Sequence, residues 1–571
     1  MAATDYQVDG KNPAALFSLR LHRGDGMLLL GMNWKDSPPP VDFVGFAIDY
    51  KEPGGSRFFA LKNRLAFEPV TGKISGAKLS TRLSPIQKFR WVHFPRNAEI
   101  EGEFVYRVTP VFMNAAQELS YGEPQEGAIE LRRETHPDLL NVAFTRGFVS
   151  SQAFVERYES AGPISTLLPE TADEGLTFVP SHPKTAEALE WMGFEARAVL
   201  LDLLEKGIAD ASAQVRVVGY DLNEPELLSR FKRLGPRLKI IVDDSDSHGR
   251  AGSAETSAST ALRATAGDDN VRRQHVRKLQ HNKFVAVSGD AVSAVICGST
   301  NFSWRGLYVQ SNNALCIRGS AATKTFFDAF DRYWPDDPGE FGRSASADWT
   351  RLLTKVNARV SFSPHASDNR RLASIAADIS QNTSSSLLFS LAFLYQTPGP
   401  ILDAIKKVAA DPGRFVYGIS DHEVDGLQLT KPDASVVTVS SAALRAKVPP
   451  PFSKEPTGGG GVRMHHKFAV IDFDEPSARV YTGSYNFSGA ADNDNGEQLL
   501  LIRDRRVAVS YAVEALRIFD HYHFRVAQQE ARRAGKKLVL ARPPTQPGVE
   551  PWWREHYTDI RKVRDRELFG G

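Results

Sequence analysis

Apolar residues come in short clusters along the first 135 positions, rich in aromatic and β-branched side chains: Phe17–Leu21, Met27–Leu30, Phe43–Ile48, Phe89–Phe94 and Phe104–Val111. Turn-forming stretches such as Asp36–Pro40 and Glu52–Ser56 separate them. Runs of that length between Pro- and Gly-rich turns predict an antiparallel β-sandwich over residues 1–135. Beyond residue 150 the period changes. Ala186–Gly207 and Glu224–Leu234 have helical spacing of apolar positions, whereas Val215–Asp221 and Leu238–Val242 are β-like. The same alternation returns as the helix Leu372–Ile379, the strand Ser386–Leu394, the helix Pro400–Ala409 and the strand Phe415–Ile419. Two βαβ-type lobes are therefore predicted, at 150–345 and 346–545. A long helix over Val507–Arg533 closes the second. A tail, 546–571, carries Trp552 and Trp553, which are predicted to dock it on the core.

Each lobe ends in a shared pattern. His281-Asn282-Lys283 is followed by Gly298-Ser299-Thr300-Asn301-Phe302-Ser303, and His465-His466-Lys467 by Gly483-Ser484-Tyr485-Asn486-Phe487-Ser488. His and Asn stand 20 residues apart in the first copy and 21 in the second. Apolar runs lie between them, Phe284–Val287 and Ala291–Cys297 in one copy, Phe468–Ile471 and Arg479–Thr482 in the other. Both copies read as hairpins, with His and Lys on one face because strand neighbours i and i+2 share a face. Histidine titrates near neutral pH, lysine carries a fixed positive charge, and asparagine donates without adding charge. Such a set suits a phosphate group, and its duplication raises the weight of a catalytic reading above that of a chance match.

At these residues the chain resembles the phospholipase D superfamily, whose signature is His-x-Lys-x4-Asp followed by Gly-Ser/Gly-x-Asn. The second copy fits in full through His465, Lys467, Asp472, Gly483, Ser484, Asn486 and a downstream acid, Glu497. The first departs twice: Ser288 stands at the Asp position, with Asp290 two residues on, and Asn312 stands in register with Glu497. The resemblance implies an α/β fold of two pseudo-symmetric phospholipase D-like lobes, mixed sheets flanked by helices, behind the N-terminal β-sandwich. The segment Tyr106–Val111 resembles a fibronectin type III or immunoglobulin-like strand. The resemblance further implies a phosphodiesterase acting through a phosphohistidine, with His281, Lys283, Asn301, His465, Lys467, Asn486 and Glu497 catalytic. Lys283, Lys467, Asn301, Asn486, Ser299 and Ser484 would hold the phosphate, and Asp472 and Asn312 would orient or support the site. Glu497 would hold His281 and Asn312 would face His465, which makes His281 the expected nucleophile and His465 the expected general acid.

Neither motif supplies a carboxylate cluster or a zinc-ligand spacing, and lysines beside the histidines disfavour a cation, so neither metal nor cofactor is expected. Net charge of +2 does not mark the whole chain as a nucleic-acid binder. A local run, Arg272, Arg273, His275, Arg277 and Lys278, leads directly into His281. With the aromatic after each Asn, it makes a nuclease acting on DNA or RNA the first expectation. Phospholipase D or phosphatidyltransferase activity on phospholipid is the alternative, and a degenerate phosphate- or partner-binding protein, with the sandwich as partner module, a third class. Gly249–Asn270, Pro449–Pro451 and Gly458–Gly461 read as mobile loops upstream of the catalytic strands. Only two cysteines occur, Cys297 and Cys316, expected as reduced buried thiols. The start of the sequence lacks a basic, apolar leader, so a cytoplasmic location is expected.

Overall fold

The computed structural model describes residues 5–68, 79–132, 134–147, 154, 157–420, 438–440 and 464–571; Pro449–Pro451 and Gly458–Gly461 lie outside them. In the N-terminal region, Gln7–Asp9, Phe17–Arg23, Leu28–Trp34 and Arg90–His93 make a four-stranded antiparallel sheet. A second, five-stranded sheet centres on Glu103–Met113 and Phe43–Lys51. Phe17, Leu19 and Leu30 of the first sheet share one core with Phe43, Phe46 and Tyr106 of the second, which makes the pair a sandwich. Phe17 meets Phe46 at 5.1 Å between ring centroids. The C-terminal tail lies on this sandwich: Trp552 stacks on Phe89 at 5.4 Å, and its Nε1 donates to the Phe43 carbonyl. The last helix, Ile560–Gly570, crosses the strand Leu28–Trp34 so closely that a Cβ on Gly31 would meet the Phe569 carbonyl oxygen at 2.0 Å.

The two lobes repeat one sheet. Across the first the order is Leu140–Phe144, Asn313–Arg318, Ser293–Gly298, Phe284–Ser288, Gln214–Gly219, Leu238–Val242, Val271–Arg273. Across the second it is Asn357–Ser363, Glu497–Arg503, Arg479–Gly483, Lys467–Ile471, Ser386–Leu391, Phe415–Ser420, Thr438–Ser440, with Thr350–Arg351 added at the edge. The last three strands of each list run parallel and the others pair antiparallel. Between the lobes, Phe284 and Phe326 join Phe362, Phe468 and Tyr511 in one buried cluster. The first sheet draws its edge strand, Leu140–Phe144, from between the expected domains. The predicted helix 186–207 is present as Thr185–Ala209 but breaks at Phe194, where φ is 43°. Among the described residues no helix is long and apolar enough to cross a membrane.

One expectation changes. Gly249–Asn270 is not a mobile loop: it contains the helix Ala254–Ala266, capped by the Ser253 hydroxyl accepting from the Thr256 N–H. Ala254, Ala258, Leu262 and Ala266 recur every fourth residue and are buried, so an alanine stripe takes the place of larger apolar residues. The cysteines are free and buried, but the register sets Cys316 opposite Ile296, and the two thiols join different cores on opposite faces of the sheet.

Asp472 anchors the second hairpin. Its carboxylate accepts from the backbone N–H groups of Ser384, Ser385 and Ser386 and from the Ser384 hydroxyl, all in the neighbouring strand's approach. In the first lobe Ser288 brings no carboxylate, and Asp210 does the work from the other side, accepting from the Ala291 N–H at 2.8 Å and from Ser212. Fully buried Asp472 has no water to replace these donors. Asp472→Ala is therefore expected to cost roughly 2–3 kcal/mol or more, the range for orphaning donors around a buried charge, read as a lower denaturant midpoint for the second lobe. Half-buried Asp210→Ala should shift the midpoint less.

Candidate active site

The site begins with two main-chain crossings between the lobes. Gln280 bridges to Gly496 and Ser311 to Met464, each in parallel. The Gly496 N–H donates to the Leu279 carbonyl at 2.9 Å, and the His465 N–H to the Ser311 carbonyl at 3.0 Å. Each crossing thus lays the segment before one lobe's histidine against the segment before the other lobe's acid position. His281 arrives beside Glu497, Nδ1 to Oε2 3.2 Å, close enough for charge but not aligned as a hydrogen bond. His465 arrives beside Asn312, with Nδ1 2.9 Å from Oδ1. The two imidazoles face each other at 6.3 Å between centroids.

Asn312 explains its own departure from the acid. Its Oδ1 accepts from His465 and from the Ser299 hydroxyl, while its Nδ2 donates to the Gly306 carbonyl. An amide oxygen can only accept, so the proton on His465 sits at Nδ1 and Nε2 is left to the cavity. The neutral residue keeps the orientation of the ring and gives up the charge.

Burial dominates the electrostatics. His281 and His465 are pushed well below the ordinary imidazole range, first by desolvation and then by the charges of Lys283 and Lys467. Lys283 is lowered to about 7 by burial against the pull of Glu497, and Lys467 also falls well below its usual value. Glu497 is raised to about 7 by burial, against the Asn495 hydrogen bond and both lysines. Each lysine donates to the carbonyl of its own lobe's histidine, Lys283 at 2.6 Å and Lys467 at 2.8 Å. Aromatic rings complete the shells, Tyr220 at 4.6 Å from Lys283 and Phe393 at 5.5 Å from Lys467.

A cavity of about 1070 Å³ opens on the pair, with His281, Asn301, His465 and Asn486 in its wall. Asn301 already donates to Asp221 at 2.8 Å, leaving one N–H and its Oδ1. Ser299 and Ser484, expected at the phosphate, lie outside that wall. Their hydroxyls donate inside the sheets, Ser299 to Asn312 and Asn313, and Ser484 to Gln498. Nor does the basic run line this cavity. Arg272 lies over Trp334, Arg273 donates to the Asp243 and His248 carbonyls, His275 meets Asp244, and Arg277 and Lys278 reach Asn493 and Asp494 of the other lobe. Its charges fasten the protein to itself.

Sequence reasoning missed Asp221, His248, Glu255 and Arg305, all in the cavity wall. His248 stands 2.8 Å from Asp243 and 3.2 Å from Asp221. Burial opposes its protonation, yet the two carboxylates raise it to about 10, and Asp221, despite its own burial, is held at about 2 chiefly by His248. Asp221, His248 and Glu255 offer three ligand atoms within 4.8 Å of one another, an arrangement a metal ion could use. The imidazolium between two carboxylates already offsets part of that charge. Only the placement of Asp221 two residues beyond the strand Gln214–Gly219, at the edge where ligands meet open α/β sheets, could have pointed to it.

A family model described as "Cardiolipin synthase, PLD-like domain" matches residues 204–334 and 375–519, one stretch in each lobe. A protein of Rickettsia felis named Phospholipase D is 40% identical over 67 residues, which is 12% of this chain and 29% of that protein's length. Among solved structures, the phosphatidylserine synthase of Haemophilus influenzae is similar over 60% of this chain and 92% of its own, with 12% identity and a TM-score of 0.40. The phospholipase D family member Nuc of Salmonella typhimurium is similar over 25% of this chain and 88% of its own, with 21% identity and a TM-score of 0.19.

Restoring an acid at position 312 tests the electrostatic account. Asn312→Asp should raise the His465 midpoint, since a carboxylate favours the imidazolium that an amide does not, read by NMR titration of ¹³C-labelled histidine with His281 as internal reference. An unmoved His465 signal would mean that the 2.9 Å contact does not control this ring.

Proposed function

This chain belongs to the phospholipase D superfamily, and we propose that it is a phosphodiesterase working through a phosphohistidine on His281. The observation that carries this reading is the opposition of two imidazoles, each held at Nδ1 by the other lobe. The free Nε2 lone pair of neutral His281 attacks phosphorus, forming an N–P bond as the P–O bond to the leaving alcohol breaks. His465, protonated, gives its proton to that oxygen. Water then attacks, His465 takes its proton back, and the N–P bond breaks. Lys283, Lys467 and Asn486 stabilise charge on the phosphoryl oxygens as donors fixed before the reaction. Glu497 favours the imidazolium-like charge that develops on His281, and this division of labour follows from the acid on one side and the amide on the other.

For the substrate, the cavity wall weighs more than the motif. Leu372, Phe393, Pro398, Pro400 and Ile401 make its second-lobe side apolar, and Asp173, Asp221 and Glu255 put carboxylates on its first-lobe side. Arg250 and His248 pair with Asp173 and Asp221, so the first-lobe side has little net charge to draw a polyanionic strand, whereas the apolar second-lobe side fits a single phosphodiester with an apolar group. We therefore place a phospholipid first, cleaved or transferred to another alcohol. A nucleic-acid strand is the second reading, supported by Arg250 and Arg305 in the same wall. Mixed phospholipid vesicles, single-stranded DNA, duplex DNA and RNA, assayed side by side in excess EDTA, should show turnover of lipid. Cleavage of DNA or RNA alone would reverse the order, and loss of all turnover with EDTA, restored by a divalent ion, would move the chemistry to the Asp221–His248–Glu255 group.

The pKa directions fix a pH profile. kcat/KM needs His281 neutral and His465 protonated in the free enzyme, and both titrate below the usual 6.5, so the optimum should fall below that value. With a nitrophenyl phosphodiester, whose leaving group needs no proton, the alkaline fall should move up toward about 7, where Lys283 loses its charge. On that ester His465→Asn should still form a covalent phosphoenzyme and His281→Asn should form none, while on an alkyl ester His465→Asn should lose about 10²- to 10⁴-fold in rate. An adduct in His281→Asn but not in His465→Asn would exchange the two roles.

A further inference from the structure

Away from the histidines, the sandwich and the long helix Arg505–Arg533 enclose a second cavity, of about 470 Å³. That volume lies inside the range of small-ligand sites, about 300–1,000 Å³. One side is apolar, built from Trp91, Val92 and Phe94 of the sandwich with Phe524 of the helix and Leu540. The remaining wall is rich in cations: Lys62, Lys88 and Arg517 line it with one carboxylate, Asp520. Asp520 is taken up by the buried Arg90, and Arg517 is committed to Glu514 through two hydrogen bonds. Glu514 in turn holds His466, so Arg517 belongs to the scaffold behind the catalytic strand. Among the described residues the lysines form no ion pair, although the charge of Lys88 reaches Asp520 and Asp565. Lys62 is exposed and Lys88 half-buried, at the edge of the aromatic surface. The charge of Lys88 reaches neighbouring His523, which burial, and after it this lysine, lowers to about 4.

We propose that this cavity binds a single-chain anionic amphiphile, its alkyl tail along Trp91, Phe94 and Phe524 and its anionic head on Lys62 and Lys88. A cationic amphiphile would meet the lysines with like charge, and a simple anion would leave the aromatic wall unused. A nucleic-acid strand would lay its charged backbone on that apolar wall, where nothing answers it. The site is separate from the paired histidines and does not depend on which phosphodiester they cleave.

The test uses the full chain and decyl phosphate bearing a diazirine in its tail, kept below its critical micelle concentration and mapped by peptide mass spectrometry after photolysis. Labelling should saturate on the segments around 86–94 and 517–524. Shortening the chain from decyl to octyl should raise the half-saturating concentration about 15-fold, from about fourfold per buried methylene. Lys62→Glu with Lys88→Glu should weaken labelling there at least about tenfold, as expected for lost charge-assisted contacts, whereas the double Lys→Arg variant should stay close to the parent. Label confined to the histidine cavity, no label, equal labelling by a decyl trimethylammonium probe, or an unchanged midpoint in the double Glu variant would each overturn the proposal.

Discussion

Everything at the centre of this molecule hangs on two short parallel bridges, Gln280 to Gly496 and Ser311 to Met464. They occur where buried backbone must find partners, and each lobe's N–H and carbonyl groups find them in the other lobe. The side chains next in line repeat the exchange. Gln498 donates to the Lys283 and Gly298 carbonyls across the interface, and Asn313, its counterpart in register, donates to Thr482 and Tyr511. A lobe separated from its partner would leave these groups unsatisfied and would hold neither histidine, since each ring's Nδ1 contact is supplied from across the interface. The geometry of the paired histidines and lobe association are one set of contacts.

That arrangement concentrates charge where water is excluded. His281, Lys283, His465, Lys467 and Glu497 are all nearly or fully buried, and burial is the leading cause of every shift among them. Left alone, two lysines and one carboxylate would be an expensive core. Their shifts show how the expense is reduced: lysines fall and the glutamate rises, each toward its neutral form. On the proposed function, the substrate's phosphoryl group is the anion that would favour the charged lysines.

Much of this was legible in the sequence, for identifiable reasons. Duplication of the hairpin announced two lobes in the same order, although the strands begin at Phe284 and Lys467, so each histidine stands just before its strand and not within it. The partners Glu497 for His281 and Asn312 for His465 followed from the resemblance and its register, and the structure puts them within 3.2 and 2.9 Å. What stayed hidden depended on contacts distant in sequence. The basic run before His281 had the composition of a polyanion guide, but its partners, Asp244, Trp334 and Asp494, come from three other segments. Ser288 had lost its acid, and nothing local told that Asp210, some 80 residues earlier, accepts from Ala291 in the same turn. The Ala254–Ala266 helix hid behind small residues whose burial only the packed lobe reveals.

Pseudo-symmetry ends at the cavity wall, and that break gives the site its direction. The strand registers match Val218 to Ser390, because each stands opposite the Phe after its lobe's Lys, so Asp221 corresponds to Phe393. In one lobe that position carries a carboxylate tied to His248 and Asn301; in the other it carries a ring packed 6.2 Å from His465. The acid at Glu497 and the amide at Asn312 break the symmetry a second time, and in the same sense: carboxylates stand near the first lobe's histidine where the second lobe's has an aromatic ring and an amide. A diester lying between identical half-sites could bind in either direction. Between these it would meet two different surfaces, and on the proposed function that difference would distinguish the two alcohols on the phosphorus before either P–O bond is broken.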